Sequence, residues 1–411
     1  MYEHLIPWAA WHGDSSIALT FPAHWRIQTC PMRDAPGLSH WQIREAFRRT
    51  IGSATLREAV AGRRSVAIVV DDLSRPTPAH VLVPYMLEEL LAGGILPENI
   101  TFIIGLGSHT PLQPSELAKK LGEDIVAGYR VLNHDCCGDL TETDIRVGNV
   151  QVKLNSAFMA ADFRILVGSV VPHAFAGFSG GAKMVLPGLS NIESIEWTHK
   201  AVLMGLRGRA GTLKDNRFRK EFERVARLAG TDFVVQVVVN SQREISGVFA
   251  GDLTAAHSAA ADFAGQTYAT MPPTESEVVV LNTYPKDDEL LQAENALMFH
   301  HTAPSNYLKP DGVMLVTSAC SLGMGHHGLF GPGQRLHREP RRKAFLGERL
   351  LAGFMPGVTP EEFHQVYWEG YPHFRRWEEA RNFLEQRYPR GATVSIVPCS
   401  SIQIAAPNQN N

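Results

Sequence analysis

The sequence predicts an α/β protein of two domains, each with a largely parallel sheet flanked by helices. Three observations carry this prediction: the length of 411 residues, a composition of 44% hydrophobic and 20% charged residues, and short apolar runs that recur along the chain. A chain of this length exceeds one ordinary hydrophobic core. The composition is that of a globular protein. Apolar runs that stop at polar or glycine clusters are typical of parallel strands buried on both faces.

The predicted strands lie in eight segments, in the order RRSVAIVVDD, ENITFIIGLGSHT, YRVLNHD, DFRILVGSVVPH, FVVQVVVN, SEVVVLNTYP, DGVMLVTSAC and ATVSIVP. Between them, AHVLVPYMLEELLAGG and RFRKEFERVARLAG predict amphipathic helices that end at glycine, and VVVNSQREISGVFAGD predicts a hairpin. The prolines of YATMPPTESEVVV indicate a domain boundary near residue 271. We therefore expect domains over residues 1–270 and 271–411, with an active site in the cleft between them.

The charge and cysteine content exclude several classes of protein. A net charge of −3 gives no basic footprint for nucleic acid or an anionic membrane, and no apolar run is long enough to span one. Cysteines 30, 136, 137, 320 and 399 lack CxxC spacing, which argues against a disulfide framework and a thiolate zinc site. We expect a cytoplasmic protein that binds neither nucleic acid nor membrane.

Polar side chains follow four successive predicted strands. They are Asp71 and Asp72, His109, His134 with Asp135, and His173. In open α/β sheets, ligands bind outside the carboxyl ends of the strands. The sequence therefore predicts a site at this edge, although each motif alone is also compatible with a turn, a helix start or a structural histidine.

The segment PHAFAGFSGGAKMVLPG holds Lys183 in a glycine-rich loop. Lys183 does not directly follow a glycine, and Met184 stands where a phosphate-binding P-loop needs Ser or Thr, which excludes nucleotide hydrolysis of that kind. The backbone amides around Gly180 and Gly181 could surround an anion such as phosphate. Lys183 would then be an electrostatic clamp or a covalent attachment point; the alternative is a turn with a solvated lysine.

In this order, the segments DDLSRP, GLGSHTPLQPSE, NHD, VPHAFAGFSGGAKMVLPG and WTHK resemble the nickel-pincer lactate racemase family. The resemblance runs from about residue 10 to the mid-300s, and the spacing of His173, Lys183 and His199 is its most specific part. It implies a nickel pyridinium-3,5-bisthiocarboxylic acid mononucleotide, bonded to Lys183 through a thioamide, with His199 as nickel ligand. The resemblance also implies that Asp72, Gly180 and Gly181 bind the cofactor.

The resemblance also implies an isomerase that inverts C2 of a 2-hydroxy acid by reversible hydride transfer to the cofactor. His109 and His173 would be the two bases, one for each enantiomer, and Arg75 would bind the substrate carboxylate. Asp72 would orient Arg75 or a neighbouring histidine. The expected partners are the hydroxy acid and, transiently, the cofactor-synthesis enzymes.

The substrate half of the implied site departs from the family. Its members carry a Tyr-Gln-x-x-Lys pattern, whereas ELLQAENAL keeps Gln292 but offers Leu291 and Asn295 in place of the tyrosine and lysine. We therefore expect Gln292 and Asn295 to bind a substrate other than lactate.

Two other classes of function compete with this prediction. One is a metal-dependent hydrolase that uses His109, His134 and His173, although no HExxH spacing supports it. The other is a non-catalytic protein that binds a sugar acid or phosphate.

Overall fold

The computed structural model describes residues 1–203 and 208–406. The chain forms two compact units, of which one comprises Ala35–Thr267 and the other joins Met1–Asp34 to Tyr268–Asn411. Among the described residues, no helix is both long and apolar enough to cross a membrane.

The strands are numbered in chain order. They are β1 (Tyr2–Trp8), β2 (Ser15–Phe21), β3 (Arg26–Thr29), β4 (Val66–Val70), β5 (Ile100–Ile104), β6 (Arg130–Asn133), β7 (Leu140–Val147), β8 (Val150–Asn155), β9 (Phe163–Ser169), β10 (Pro172–His173), β11 (Gly177–Phe178), β12 (Phe233–Val239), β13 (Ile245–Gly251), β14 (Ala269–Thr270), β15 (Ser276–Asn282), β16 (Leu308–Thr317), β17 (Leu350–Phe354), β18 (His373–Phe374), β19 (Thr393–Val397) and β20 (Ile404–Ala405).

The α-helices follow the same order. They are α1 (His40–Arg48), α2 (Leu56–Ala59), α3 (Ala79–Ala92), α4 (Pro114–Leu121), α5 (Glu123–Gly128), α6 (Ser156–Ala160), α7 (Ile192–Leu203), α8 (Arg217–Leu228), α9 (Leu253–Thr267), α10 (Met298–Thr302), α11 (Pro360–His364) and α12 (Trp377–Arg387). Short 3-10 helices include Gly181–Met184 and Leu290–Leu297.

The unit Ala35–Thr267 is built on a six-stranded sheet in the order β13-β12-β9-β4-β5-β6. All neighbours are parallel except β13, which pairs antiparallel with β12 as the predicted hairpin. Every residue of β4 and β12 is buried. The continuous apolar runs therefore correspond to strands covered on both faces, as predicted.

The second unit contains a parallel sheet in the order β18-β17-β16-β15-β19-β3. Along β15, Val279 and Leu281 belong to one hydrophobic cluster, whereas Val278 and Val280 belong to another. Because successive side chains of a strand point to opposite faces, this sheet has a core on each side. The predicted largely parallel α/β fold is confirmed.

The compact units differ from the predicted domains 1–270 and 271–411 in the placement of the N-terminal segment. Residues 1–34 group with the C-terminal part of the chain. The reason is the parallel pairing of β3 with β19, which matches Arg26 with Thr393 and Thr29 with Ile396. A local sequence pattern indicates a strand, but it does not indicate which distant edge that strand will join.

Candidate active site

The carboxyl ends of neighbouring strands bring the predicted polar groups to one edge of the first sheet. Strands β9, β4, β5 and β6 are adjacent and parallel. Asp72 follows β4, His109 follows β5, His134 follows β6 and His173 follows β9. The residues that the strand-end rule selects therefore share one side of one unit.

Asp72 and His109 are in direct contact at this edge. Nδ1 of His109 lies 2.5 Å from Oδ2 of Asp72, and the backbone amide of Ser74 donates to Oδ1 at 3.1 Å. Because an ionised carboxylate only accepts, Nδ1 carries the proton and Nε2 carries the lone pair of a neutral His109. Burial raises the pKa of the Asp72 carboxyl, but His109, Arg75 and Ser74 together outweigh burial and hold it well below its usual range. Asp72 thus keeps its charge and can orient His109.

Arg75 belongs to the same loop as Asp72. Its Nη1 donates to the carbonyl oxygen of Ser74 at 3.0 Å and to the hydroxyl of Ser74 at 2.9 Å. That hydroxyl also donates to the carboxylate of Asp72. Ser74 therefore links the carboxylate to the predicted substrate-binding guanidinium.

The glycine-rich segment around Lys183, residues 172–188, is called the lysine loop here, and it requires glycine at two positions. Gly180 has φ of +73° and Gly181 has φ of +55°. A Cβ atom on Gly180 would overlap Oε1 of Gln236 and lie 3.0 Å from the carbonyl oxygen of Ser169, and one on Gly181 would lie 2.5 Å from Nη2 of Arg219. Glycine here permits a left-handed backbone and a close approach at the same time.

Two buried side chains hold the carbonyl groups of this loop. Nη1 of Arg219, on α8, donates to the carbonyl oxygen of Gly180 at 3.3 Å. Nε2 of His257, on α9, donates to that of Ser179 at 2.8 Å. Both side chains are buried, so the loop before Lys183 is fixed from the protein interior. Sequence reasoning missed both residues.

Lys183 points at one of the two predicted bases. Its Nζ lies 2.7 Å from Nε2 of His173 and 5.2 Å from the centre of the Phe175 ring. On the other side of the imidazole, Nδ1 of His173 accepts the backbone amides of Phe175 at 3.4 Å and Ala176 at 3.3 Å. The predicted attachment lysine and the predicted base are thus direct neighbours.

His199 has the protonation state of a metal ligand. Its Nδ1 donates to the carbonyl oxygen of Ile195 at 2.8 Å, which leaves the lone pair on Nε2. Burial lowers the pKa of His199 to about 4; the Ile195 carbonyl opposes this shift, and the nearby Lys183 and His109 add to it. A neutral imidazole near Lys183 and His109 can ligate nickel.

His134 has a structural role. It is buried, and its Nε2 donates to the carbonyl oxygen of Ser190 at 3.0 Å. Burial lowers the pKa of His134 to about 4. Within residues 1–203 and 208–406, the group with converging metal-ligand atoms is Asp135, Cys136 and Cys137, not the three histidines of the hydrolase hypothesis. This placement of His134 argues against that hypothesis.

The predicted substrate residues of the second unit contact each other. On the 3-10 helix Leu290–Leu297, Nδ2 of Asn295 donates to the carbonyl oxygen of Gln292 at 2.8 Å and to its Oε1 at 3.1 Å. Gln292 is buried and Asn295 is half-buried. The amide pair therefore has a defined local geometry.

Comparisons with known proteins find lactate racemases. The family model "Lactate racemase N-terminal domain" matches residues 12–211. A lactate racemase of Lactiplantibacillus plantarum is 29% identical over 296 residues, which cover 70% of this chain and 68% of the relative. A lactate racemase of Thermoanaerobacterium thermosaccharolyticum is 27% identical over 328 residues, with coverage of 78% and 74%.

Solved structures share the fold. The lactate racemase apoprotein of Thermoanaerobacterium thermosaccharolyticum superposes with a TM-score of 0.76 at 20% identity, covering 99% of this chain and all of that one. A Thermotoga maritima protein superposes with a TM-score of 0.68 at 17% identity, covering 91% of this chain. The chain is thus similar in sequence and in fold to lactate racemases, and these matches support an enzyme of the isomerase class.

Proposed function

We propose that this enzyme inverts C2 of a 2-hydroxy acid other than lactate, with a nickel-pincer nucleotide bonded to Lys183. The observation that carries the proposal is the grouping of Lys183 with His173 at 2.7 Å and with the neutral imidazole of His199. When bound, the cofactor supplies nickel and an acceptor for the hydride of C2.

The residues present fit this cofactor. Nε2 of His199 would hold the nickel, because a neutral imidazole is a good ligand for this metal. The glycine backbone at residues 180 and 181 leaves no room for side chains and presents amide groups on the lysine loop. Lys183 supplies the amine for covalent attachment.

His109 is proposed to take and return the proton of the substrate hydroxyl. Its lone pair is on Nε2, because Nδ1 faces Asp72 at 2.5 Å. When Nε2 takes a proton, the carboxylate of Asp72 stabilises the resulting imidazolium. His173 is proposed to be the second base, for the opposite enantiomer.

Arg75 is proposed to bind the substrate carboxylate, and Gln292 and Asn295 to bind the rest of the substrate. A lysine at position 295 would give a charge-assisted hydrogen bond of about 1.5–3 kcal/mol, which an amide does not provide. Lactate has few other groups that could replace the free energy of this hydrogen bond. A bulkier or polyhydroxylated 2-hydroxy acid has them, because Gln292 and Asn295 each offer donors and an acceptor to hydroxyl groups.

We propose that the cofactor-synthesis enzymes are transient partners of this protein. The cofactor is tested by co-expression with these enzymes, followed by intact-protein mass spectrometry and nickel analysis. We expect one adduct at Lys183 by peptide mapping, lost in Lys183→Ala and kept in Lys214→Ala, an exposed lysine outside the lysine loop. Active, nickel-loaded protein with unmodified Lys183 would contradict the proposal.

The test of the reaction uses single enantiomers of lactate, malate, longer hydroxy acids and aldonates. We expect a larger substrate to exceed lactate in kcat/KM, and Asn295→Lys to shift the preference towards lactate. Deuterium at C2 should reappear at C2 of the product. Lactate as best substrate would overturn the role proposed for Asn295, and complete loss of the label to water would overturn hydride transfer.

A further inference from the structure

Lys120 is a buried lysine that lies directly beneath the loop of Asp72 and Arg75. It belongs to α4, and its side chain is 0% exposed. Its Nζ lies 2.6 Å from Oδ1 of Asp71 and donates to the carbonyl oxygens of Asp72 at 2.8 Å and Arg75 at 3.3 Å. The ammonium group is thus held by one ion pair and two hydrogen bonds to this loop.

All three acceptors belong to residues 71–75. This loop presents the carboxylate that contacts His109 and the guanidinium proposed to bind substrate. Asp71 is itself fixed, because Oδ2 accepts the hydroxyl of Thr77 at 2.5 Å and the amide of Ser169 at 3.2 Å. Lys120 therefore joins both ends of the loop to the end of β9.

We propose that Lys120 is a positioning residue, which holds the backbone of residues 71–75 so that Asp72 meets Nδ1 of His109 and Arg75 keeps its place for the substrate carboxylate. The inference rests on the proposed function for the role of Arg75 and His109. It adds a residue that touches neither substrate nor cofactor. Burial lowers the pKa of the Lys120 amine and the Asp71 carboxylate opposes this shift, so the ion pair with Asp71 supports the charged form.

Removal of Lys120 alone would leave Asp71 as a buried charge without its cation, which endangers folding. The informative variant is the double substitution Lys120→Met with Asp71→Asn. It removes both charges together, and the new amide keeps an oxygen for Thr77 and Ser169. Lys119→Met is the matched control, because Lys119 is the exposed neighbour on the same helix.

The first measurement needs no cofactor. In protein labelled with 15N-histidine, the Nδ1–H of His109 should give a downfield proton resonance because of its short bond to Asp72, and His109→Gln assigns it. We expect this resonance in the parent and in Lys119→Met, and its loss or upfield shift in the folded double variant. Lys120→Arg, which keeps a cation beside Asp71, should restore part of the shift.

The second measurement uses loaded enzyme. We expect kcat/KM of the double variant to fall by ~10- to ~100-fold, since small misplacements of catalytic groups have effects of this size. Displacement of Arg75 should raise KM, and displacement of His109 should lower kcat. Nickel content and the Lys183 adduct should stay at the parental level, because other elements carry His199 and Lys183.

A folded double variant with the parental His109 resonance, and with kinetics indistinguishable from Lys119→Met, would overturn the inference. If the double variant does not fold, a parental His109 resonance in folded Lys120→Met overturns the inference in the same way. Failure of the parent to take up nickel would instead contradict the proposed function, and the histidine resonance would still test the positioning.

Discussion

Gly180→Ala is expected to destabilise the unit Ala35–Thr267 through two separate effects. The backbone at Gly180 has φ of +73° and ψ of −173°, a conformation that costs any other residue about 1–3 kcal/mol. The new Cβ would also overlap the side chain of Gln236 and press on the carbonyl of Ser169, and overpacking of this kind costs a further ~1–3 kcal/mol. We therefore expect a total loss of about 2–6 kcal/mol.

Gly62→Ala is the matched control. Gly62 has φ of +77° in the same unit, but nothing lies within 4 Å of its added Cβ. This variant keeps the strain term of about 1–3 kcal/mol and lacks the overpacking term. In a unit of this size 1 kcal/mol corresponds to about 2–4 °C in Tm, so Gly180→Ala should melt about 2–12 °C below Gly62→Ala.

Thermal unfolding by circular dichroism measures the difference, and peptide mapping measures its consequence for Lys183. Gly180→Ala should lower the yield of the Lys183 adduct under co-expression with pincer-synthesis enzymes, whereas Gly62→Ala should not. Equal melting temperatures for the two variants would refute the steric argument. A full adduct yield in Gly180→Ala would show that the glycine does not serve the lysine.

Three further substitutions test individual residues of the site. Asp72→Asn exchanges a charge-assisted hydrogen bond to His109 for a neutral one. We expect kcat/KM, measured by chiral chromatography of the racemisation, to fall by ~5- to ~10-fold, which corresponds to about 1–1.5 kcal/mol. An unchanged kcat/KM would remove Asp72 from the mechanism. His199→Asn keeps a donor for the Ile195 carbonyl but lacks Nε2, so nickel per protein should fall while the Lys183 adduct persists by mass spectrometry; full nickel retention would exclude His199 as ligand. Burial lowers the pKa of His134 to about 4 in the folded protein, against 6.5 in the unfolded chain. The unfolded state therefore takes up a proton first, and the free energy of unfolding should fall as the pH drops from about 6.5 to about 4. In urea unfolding across this pH range, the free energy of unfolding of His134→Gln should depend less on pH.

The sequence predicted most strands with continuous apolar runs, although it missed β17 (LLAGF), and it missed several strands without such runs. β4, β5, β9 and β12 are buried throughout or nearly so, and their residues alone identify them. The hairpin of β7 and β8 was missed, because TETDIR is polar and largely exposed. A strand of this kind is defined by its partner rather than by burial.

The same division holds for the site. Asp72, His109, His173 and Lys183 were selected because strand ends and a glycine loop mark them in the sequence. Lys120 and Arg219 were not, because AKKLG and RFRKEF have the composition of solvated helix faces. Burial of a cation is decided by acceptors that come from distant segments, as Asp71 and the Gly180 carbonyl do here.

The parallel pairing of β3 with β19 has a consequence for synthesis of the chain on the ribosome. Arg26 and its partner Thr393 are separated by most of the sequence. At ~5–20 residues per second, β3 waits about 20–70 s for the strand that completes its edge, while residues 35–267 can already collapse. Nascent chains arrested before Thr393 should therefore be cut by protease within residues 1–34, and protection of this segment in such chains would show that another part of the protein shelters it first.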